Sequence, residues 1–502
     1  MLSTVLAQVP FDRPHIDWHA VAPELVLLGV GALLTLIDIV FLDKARKYGS
    51  TLAGIGLLLP LIPIVTLAID AESRSLFGGA YVVDKYSLIL KALFLLSGYV
   101  VILLSSNYIA EGDYWESEYY GMLVSSILGM VIMASSRDLI SIFVALELLS
   151  IPAYMLATWR KRDLKSNEAG LKYYLMGVFA SAIMLYGMSL VFGVAGSTVL
   201  TDINEAVSQG DSSEAVITLG IIFVIIGFAF KVSAFPFHTW APDTYEGAPT
   251  PVTAFLAVGS KAAGFVALMN LIVVGFLGRG DVFQPLMWIL AAASMFGGNL
   301  MALRQTNIVR MMAYSGVAQA GFMLAPLAVA GEGVANADRA VSTVVTYLVI
   351  YAAMNLGAFA VIISVARKTG SAEIETYNGL FRYAPHMAIP MTMFLMSLGG
   401  LPPFGGFWAK LFVFRALTGA ETGLGYTLAV VGAVNAVIAF GYYIRIARAM
   451  WVESPHLGDE TPIKVPASLG AALAITGVLT VLFGVLPGVV THFTDVSLLA
   501  GG

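Results

Sequence analysis

The sequence predicts an all-α polytopic membrane protein with about fourteen transmembrane helices. Of 502 residues, 58% are hydrophobic and only 12% charged, and the mean hydropathy is +0.85. A soluble fold cannot hide that much apolar surface. Apolar runs repeatedly reach the roughly 20 residues that a bilayer-spanning helix needs. They are rich in Leu, Ala, Gly and Met and lack the alternation over about 10 residues that marks a barrel strand.

In chain order the runs lie near 21–42, 51–70, 85–106, 118–136, 138–158, 169–196, 214–236, 249–276, 282–303, 307–330, 339–366, 385–419, 423–450 and 467–491. The first follows a stretch with one Arg and two Asp rather than a basic leader. It is also longer than a signal-peptide core, so it is expected to be retained. Connecting segments reach only about 20 residues, too short for a soluble domain of their own. Function is therefore expected inside the membrane.

Lys and Arg concentrate in cytoplasmic loops. With the N-terminus outside, the inner loops hold Lys44, Arg46, Lys47, Arg160, Lys161, Arg162, Lys165, Arg304, Arg310, Arg367, Lys368, Arg382, Arg445, Arg448 and Lys464. The outer segments hold Arg13, Arg74, Lys85, Arg137, Arg279 and Arg339. Fifteen against six predicts both termini outside. The acidic inner loop "SNYIAEGDYWESEYY" departs from the trend, but acidic residues weigh little in this rule.

The chain has no cysteine, which excludes disulfides, iron–sulfur clusters and cysteine zinc sites. Its six histidines, at 15, 19, 238, 386, 456 and 492, fall in loops or near span ends, which disfavours a haem held between helices. No cofactor and no redox centre is expected in this chain. The net charge of −5 is spread over loops and says little about partners; no nucleic-acid partner is expected.

Six cations remain: Lys91, Lys172, Lys231, Lys261, Lys410 and Arg415. Lys91, two turns from the outer surface, and Arg415, near an outer end, are expected to snorkel to water. Lys172 follows Glu168 by four residues, which suits either a structural helical ion pair or a proton-uptake site. Lys231, Lys261 and Lys410 lie deep in apolar runs. A central Lys costs about 2.5–3.5 kcal/mol on insertion scales, and such residues mark ion pathways or proton relays, the alternative being structural ion pairs.

Backbone breaks stand beside two of them. Pro236 cannot donate to the carbonyl of Val232, next to Lys231, so the helix must open there. Pro402 and Pro403, flanked by Gly399, Gly400, Gly405 and Gly406, break the run before Lys410. Irregular backbone at membrane depth needs protein or water around it. Two broken helices, their lysines 179 positions apart, suggest two related halves, as in repeat-built transporters. Glu147, in "SIFVALELLSIPAYML", is the most central carboxylate of the first half. A lone buried lysine tends to lose its charge, and a nearby carboxylate restores it. Glu147 and Lys231 therefore read as a proton switch.

The stretches "EAGLKYYLMGVFASAIMLYG", "KVSAFPFHTWAPDTYEGAPTPVTAFLAVGSK", "VRMMAYSGVAQAGFML" and "GLPPFGGFWAK" resemble the antiporter-like subunits of respiratory complex I, the proton-pumping NADH:quinone oxidoreductase. The N type, counterpart of mitochondrial subunit 2, is the best match, over nearly all fourteen helices. The resemblance implies two inverted five-helix repeats with discontinuous helices 7 and 12. It divides the chain into 1–117 (helices 1–3), 118–276 (helices 4–8), 277–451 (helices 9–13) and 452–502 (helix 14). It places the family's proton-translocating residues on Glu147, Lys231, Lys261 and Lys410. His238, just past the first break, is implied either in the cytoplasmic proton feed or as an ordinary interfacial histidine.

Flavin, iron–sulfur clusters and quinone are implied for partner subunits, with an adjacent M-type subunit and small membrane subunits as neighbours in a bacterial inner membrane. The M type carries a glutamate where this chain has Lys410, and the L type extends into a long lateral helix. Helix 10 offers Gln319 rather than a counterpart to Glu147, so a partner for Lys410 is expected in an adjacent subunit. A subunit of a multisubunit Na⁺/H⁺ antiporter is the alternative, and a non-pumping scaffold subunit a second one.

Overall fold

The computed structural model describes residues 16–499 apart from 41, 112–115, 209–213, 456, 457 and 459. Arg13, His15, His456 and part of the acidic loop, 112–115, lie outside the described residues, as do the side chains of Lys44, Arg46 and Lys47. Helix α1 (Ala22–Val40) leads into α2 (Leu42–Leu58) and α3 (Leu61–Asp70). A small antiparallel hairpin follows, β1 (Arg74–Leu76) and β2 (Tyr81–Val83). Next come α4 (Lys85–Ala110), α5 (Glu116–Ser135), α6 (Leu139–Ala157), α7 (Leu164–Ala195), the short α8 (Leu200–Ser208) and α9 (Glu214–Lys231).

After a break, α10 (Trp240–Gly247) precedes α11 (Thr250–Phe255) and α12 (Lys261–Met269). The second half holds α13 (Gly280–Ala302), α14 (Ile308–Leu324), α15 (Val334–Thr369), α16 (Leu380–Tyr383), α17 (Pro385–Gly399), α18 (Gly405–Thr418), α19 (Gly423–Trp451), α20 (Ala467–Val485) and α21 (Gly488–Thr494).

Among the described residues, 13 helical stretches are long and apolar enough to cross a bilayer. The run at 385–419, expected as a broken span, is two half-helices, α17 and α18, of 15 and 14 residues. Together they have the length of one crossing. Capping explains several starts. Asp84, Asp138, Asp163 and Asn307 each accept backbone N–H groups at the first turn of α4, α6, α7 and α14, donors that otherwise have no partner.

Lipid gives helices little hydrophobic reason to associate, so close packing through small residues does that work. A Cβ added at Gly129 of α5 would fall 2.5 Å from the α6 backbone, and one at Gly298 of α13 would fall 2.5 Å from that of α14. At Gly187 of α7 the backbone of α9 would be 2.8 Å away. Every residue from 251 to 276 is buried, as is every residue of α15 from 340 to 365 except Ser342 and Val349. These two helices form the centre, and the exposed faces of α1, α7 and α19 form the periphery.

Candidate proton path

The first break is built as its proline requires. α9 ends at Lys231, Ser233 takes a left-handed φ of 59°, and the chain resumes as α10. The carbonyl of Phe230 receives Trp240 Nε1 at 3.0 Å, and Phe235 N–H donates to Ser294 Oγ at 2.9 Å. Backbone groups freed inside a membrane must find such partners. The second break follows the same logic. Gly400 has φ 90°, and a Cβ there would lie 2.8 Å from Lys410 Cδ. Ser397 Oγ accepts from Gly406 N–H at 3.1 Å, and Lys410 Nζ takes the freed carbonyl of Gly399 at 2.7 Å.

Lys231, Lys261 and Lys410 are 3%, 2% and 5% exposed, and each amine is satisfied by neutral oxygens. Lys231 Nζ donates to Ser150 Oγ at 2.8 Å and Tyr173 OH at 3.4 Å. Lys261 Nζ donates to the carbonyl of Gly316 at 2.7 Å. A Cβ at Gly316 would sit 2.9 Å from that amine and 3.4 Å from Tyr351 OH, so the glycine leaves room for both. Lys410 Nζ also lies 4.9 Å from the centre of the Phe322 ring.

The expected contact between Glu147 and Lys231 is not made. Glu147 is half-buried and accepts from Ser181 Oγ at 2.6 Å. Ser150, one turn along α6 from Glu147, holds the lysine instead. The reason is helical spacing: positions i and i+3 share a face, and the shorter side chain is the one Lys231 reaches. The unbroken helix that carries Lys261 is locally widened. The turn before it, Leu256–Ser260, is π-helical, as is Asn270–Gly275. Such bulges widen a helix and recur at functional sites.

Lys172 pairs with Glu168 at 2.8 Å, as the spacing predicts, and with Asp243 at 2.8 Å. Asp243 and Glu246 of α10 both reach Arg310 of α14, at 2.8 and 2.9 Å, and Lys165 reaches Glu246 at 3.3 Å. This network ties α7, α10 and α14 together across the middle of the chain. The sequence reading missed Asp243 and Glu246, although both sit in "WAPDTYEG", the stretch after the first break. His238 is buried, its ring stacked on Phe235 at 4.9 Å and 6.0 Å from Tyr314, and its Nδ1 has no hydrogen-bond partner. It does not touch the ion-pair network.

Arg415 is exposed, as expected. Lys91 is not: it is 0% exposed and ion-paired with Glu24 of α1 at 2.7 Å. A carboxylate on a neighbouring helix removes the reason to snorkel. Among the described residues no group of three His, Asp or Glu is placed to hold a metal ion.

Fold and site define a helical membrane protein with two interrupted helices and three buried amines. Residues 136–438 match the transmembrane family described as NADH:quinone oxidoreductase/Mrp antiporter. The chain belongs to that family. NADH-quinone oxidoreductase subunit N 1 of Koribacter versatilis is 38% identical over 97% of this chain and 96% of its own length. A chain in the structure of respiratory complex I from Thermus thermophilus with bound aureothin is 31% identical. It covers 94% of this chain and 98% of its own, with a TM-score of 0.77. A chain of the Mrp complex from Dietzia sp. is 19% identical, covering 96% and 97%, with a TM-score of 0.83; it shares the fold.

Proposed function

We propose that protons cross the membrane along Lys231, Lys261 and Lys410, driven by quinone reduction in neighbouring subunits. The chain is an antiporter-like membrane-arm subunit of NADH:quinone oxidoreductase. Three amines buried on neutral oxygens support the relay. A buried ammonium with no carboxylate against it is held weakly charged, so small changes in its surroundings can load or unload its proton. Lys231 and Lys410 sit at the two breaks, and Lys261 lies on the central helix between the halves. Glu147 acts on Lys231 through the field of its charge. The Lys172–Asp243–Arg310 network and His238 stand on the uptake side.

The same reading gives two inverted repeats, 118–276 and 277–451, both termini outside, and a bacterial inner membrane. Flavin, iron–sulfur clusters and quinone belong to partner subunits, with an M-type neighbour beside this chain. The Na⁺/H⁺ antiporter alternative draws on the shared family description and the shared fold, whereas full-length relatives above 30% identity favour complex I.

Lys261→Ala in the assembled complex, reconstituted in vesicles, is the test. Losing a group that gives and takes a proton should lower proton flux and NADH:quinone turnover together by about an order of magnitude or more. Unchanged flux per complex refutes the relay. Flux that requires Na⁺ refutes the choice of ion.

A further inference from the structure

We infer that an open cleft between the start of α15, the end of α18 and α21 holds a zwitterionic phospholipid headgroup, one with a phosphate and a primary ammonium. The inference does not depend on the proton relay. The cleft has a volume of about 990 Å³ and is lined by residues of all three helices, which is ample for a small polar ligand. Arg339 lies in the second turn of α15 and Arg415 in the last turn of α18. The cleft therefore sits where spans end and lipid headgroups begin.

Its charged side chains are of both signs: Arg339, Arg415, Asp338 and Asp495. Two are engaged within the chain. Arg339 donates to Asn336 Oδ1 and to the Gly419 carbonyl, both at 3.1 Å, and Asp338 accepts from Ser497 Oγ at 2.6 Å. The other two are free. Arg415 and Asp495 are exposed, and neither side chain has a hydrogen bond or ion pair among the described residues. Lys85 Nζ reaches the backbone carbonyl of Asp495 at 2.9 Å, not its carboxylate. Opposite charges that line one cleft without meeting leave a guanidinium and a carboxylate for a ligand that carries both signs. An unused hydroxyl joins them. Thr343 lines the cleft, is only 6% exposed, and its Oγ1 has no partner among the described residues, although buried hydroxyls normally find one.

These groups select a headgroup of the phosphoethanolamine class. The planar guanidinium fork of Arg415 matches two phosphate oxygens. The Asp495 carboxylate and the Thr343 hydroxyl accept N–H groups, of which a primary ammonium has three. A quaternary ammonium has none and is recognised by aromatic faces, whereas Phe412 and His492 are the only rings lining the cleft among the described residues. A free phosphate would meet two aspartates with nothing to offer them. The end of α20 and α21 also expose Val485, Leu486, Val489 and Phe493, each 40–60% accessible, an apolar strip along which acyl chains can lie.

A phosphatidylethanolamine with a photoreactive acyl chain tests this on the assembled complex in vesicles, beside phosphatidylcholine and phosphatidylglycerol probes with the same chain. Crosslinks to residues 412–419 and 485–495, counted per assembled complex, should be about ten-fold more abundant from the ethanolamine probe than from either other, the scale of one charge-assisted hydrogen bond. Arg415→Gln and Asp495→Asn should each bring that label down to the phosphatidylcholine level. Thr343→Val keeps the shape without the hydroxyl and should lower the label about three-fold. Equal labelling by the three probes overturns the inference, as does a wild-type label in Arg415→Gln. A label strongest from phosphatidylglycerol overturns the zwitterionic headgroup. Loss of the label in excess inorganic phosphate overturns the lipid as the source and assigns the cleft to the free ion.

Discussion

The two breaks solve one backbone problem with different surroundings for the lysine. At the first, Lys231 ends α9 and lies among side-chain hydroxyls, with Ser150 and Tyr173 on its amine and Glu147 one turn beyond Ser150. At the second, Lys410 lies inside α18, and its amine folds back to the Gly399 carbonyl under the Phe322 ring. Gln319, where a second Glu147 was sought, donates to the Leu398 carbonyl at 3.0 Å and accepts from Tyr347. It is committed to the backbone of the half-helix before the break. The first lysine is therefore tuned by exchangeable side chains and a carboxylate, the second mainly by the break itself.

Removing both amines gives the largest expected effect. Lys231→Ala and Lys410→Ala should each lower proton flux and coupled turnover about a hundred-fold, the scale of a lost acid–base group. Flux and NADH oxidation, measured per assembled complex, check this. A collapse in one variant and normal pumping in the other would break the comparison, by making one lysine structural.

The next effect is confined to the first break. Glu147→Gln keeps shape and hydrogen bonding to Ser181 but removes the charge, and no counterpart exists at the second break. A charge acting across one intervening side chain is worth about 1 kcal/mol, so flux should fall about five-fold. Glu147→Asp should retain most activity. Normal flux per complex with less assembled complex would instead make Glu147 structural glue.

Sequence alone placed the breaks well, because proline and glycine act on their own backbone and need no partner to do so. The three central lysines were equally visible, since a cation deep in an apolar run stands out at any register. Partnerships were harder. Glu147 and Lys231 read as a pair because they are the most central opposite charges of the first half, whereas the amine of Lys231 donates to Ser150, a residue with no charge to draw notice. Lys91 reads as snorkelling because it lies two turns from the outer surface; its partner Glu24, 67 positions earlier, sits in the first turn of a span, where a carboxylate usually belongs to the interface. Contacts between helices distant in sequence depend on which faces meet, and apolar runs this long carry almost no face signal. The weak amphipathicity that a lipid-embedded helix requires is the physical cause.

The smallest expected effect comes from exchanging an amine for a carboxyl group. Lys410→Glu places a carboxyl group where the amine now meets the Gly399 carbonyl. No carboxylate side chain is paired with Lys410 among the described residues, so the new group meets no facing like charge. A carboxyl in an apolar site keeps its proton, and its O–H can then donate to Gly399 as Nζ does. A neutral hydrogen bond replaces a charge-assisted one, a difference that should cost flux only about three-fold. Lys231→Glu makes the opposite case. It sets a second carboxyl near Glu147 and should behave like Lys231→Ala. The flux ratio between the two glutamate variants thus reads the difference between the breaks directly. Equal losses in both would show that each site demands an amine, and that the surroundings of Lys231 and Lys410 differ without consequence for proton transfer.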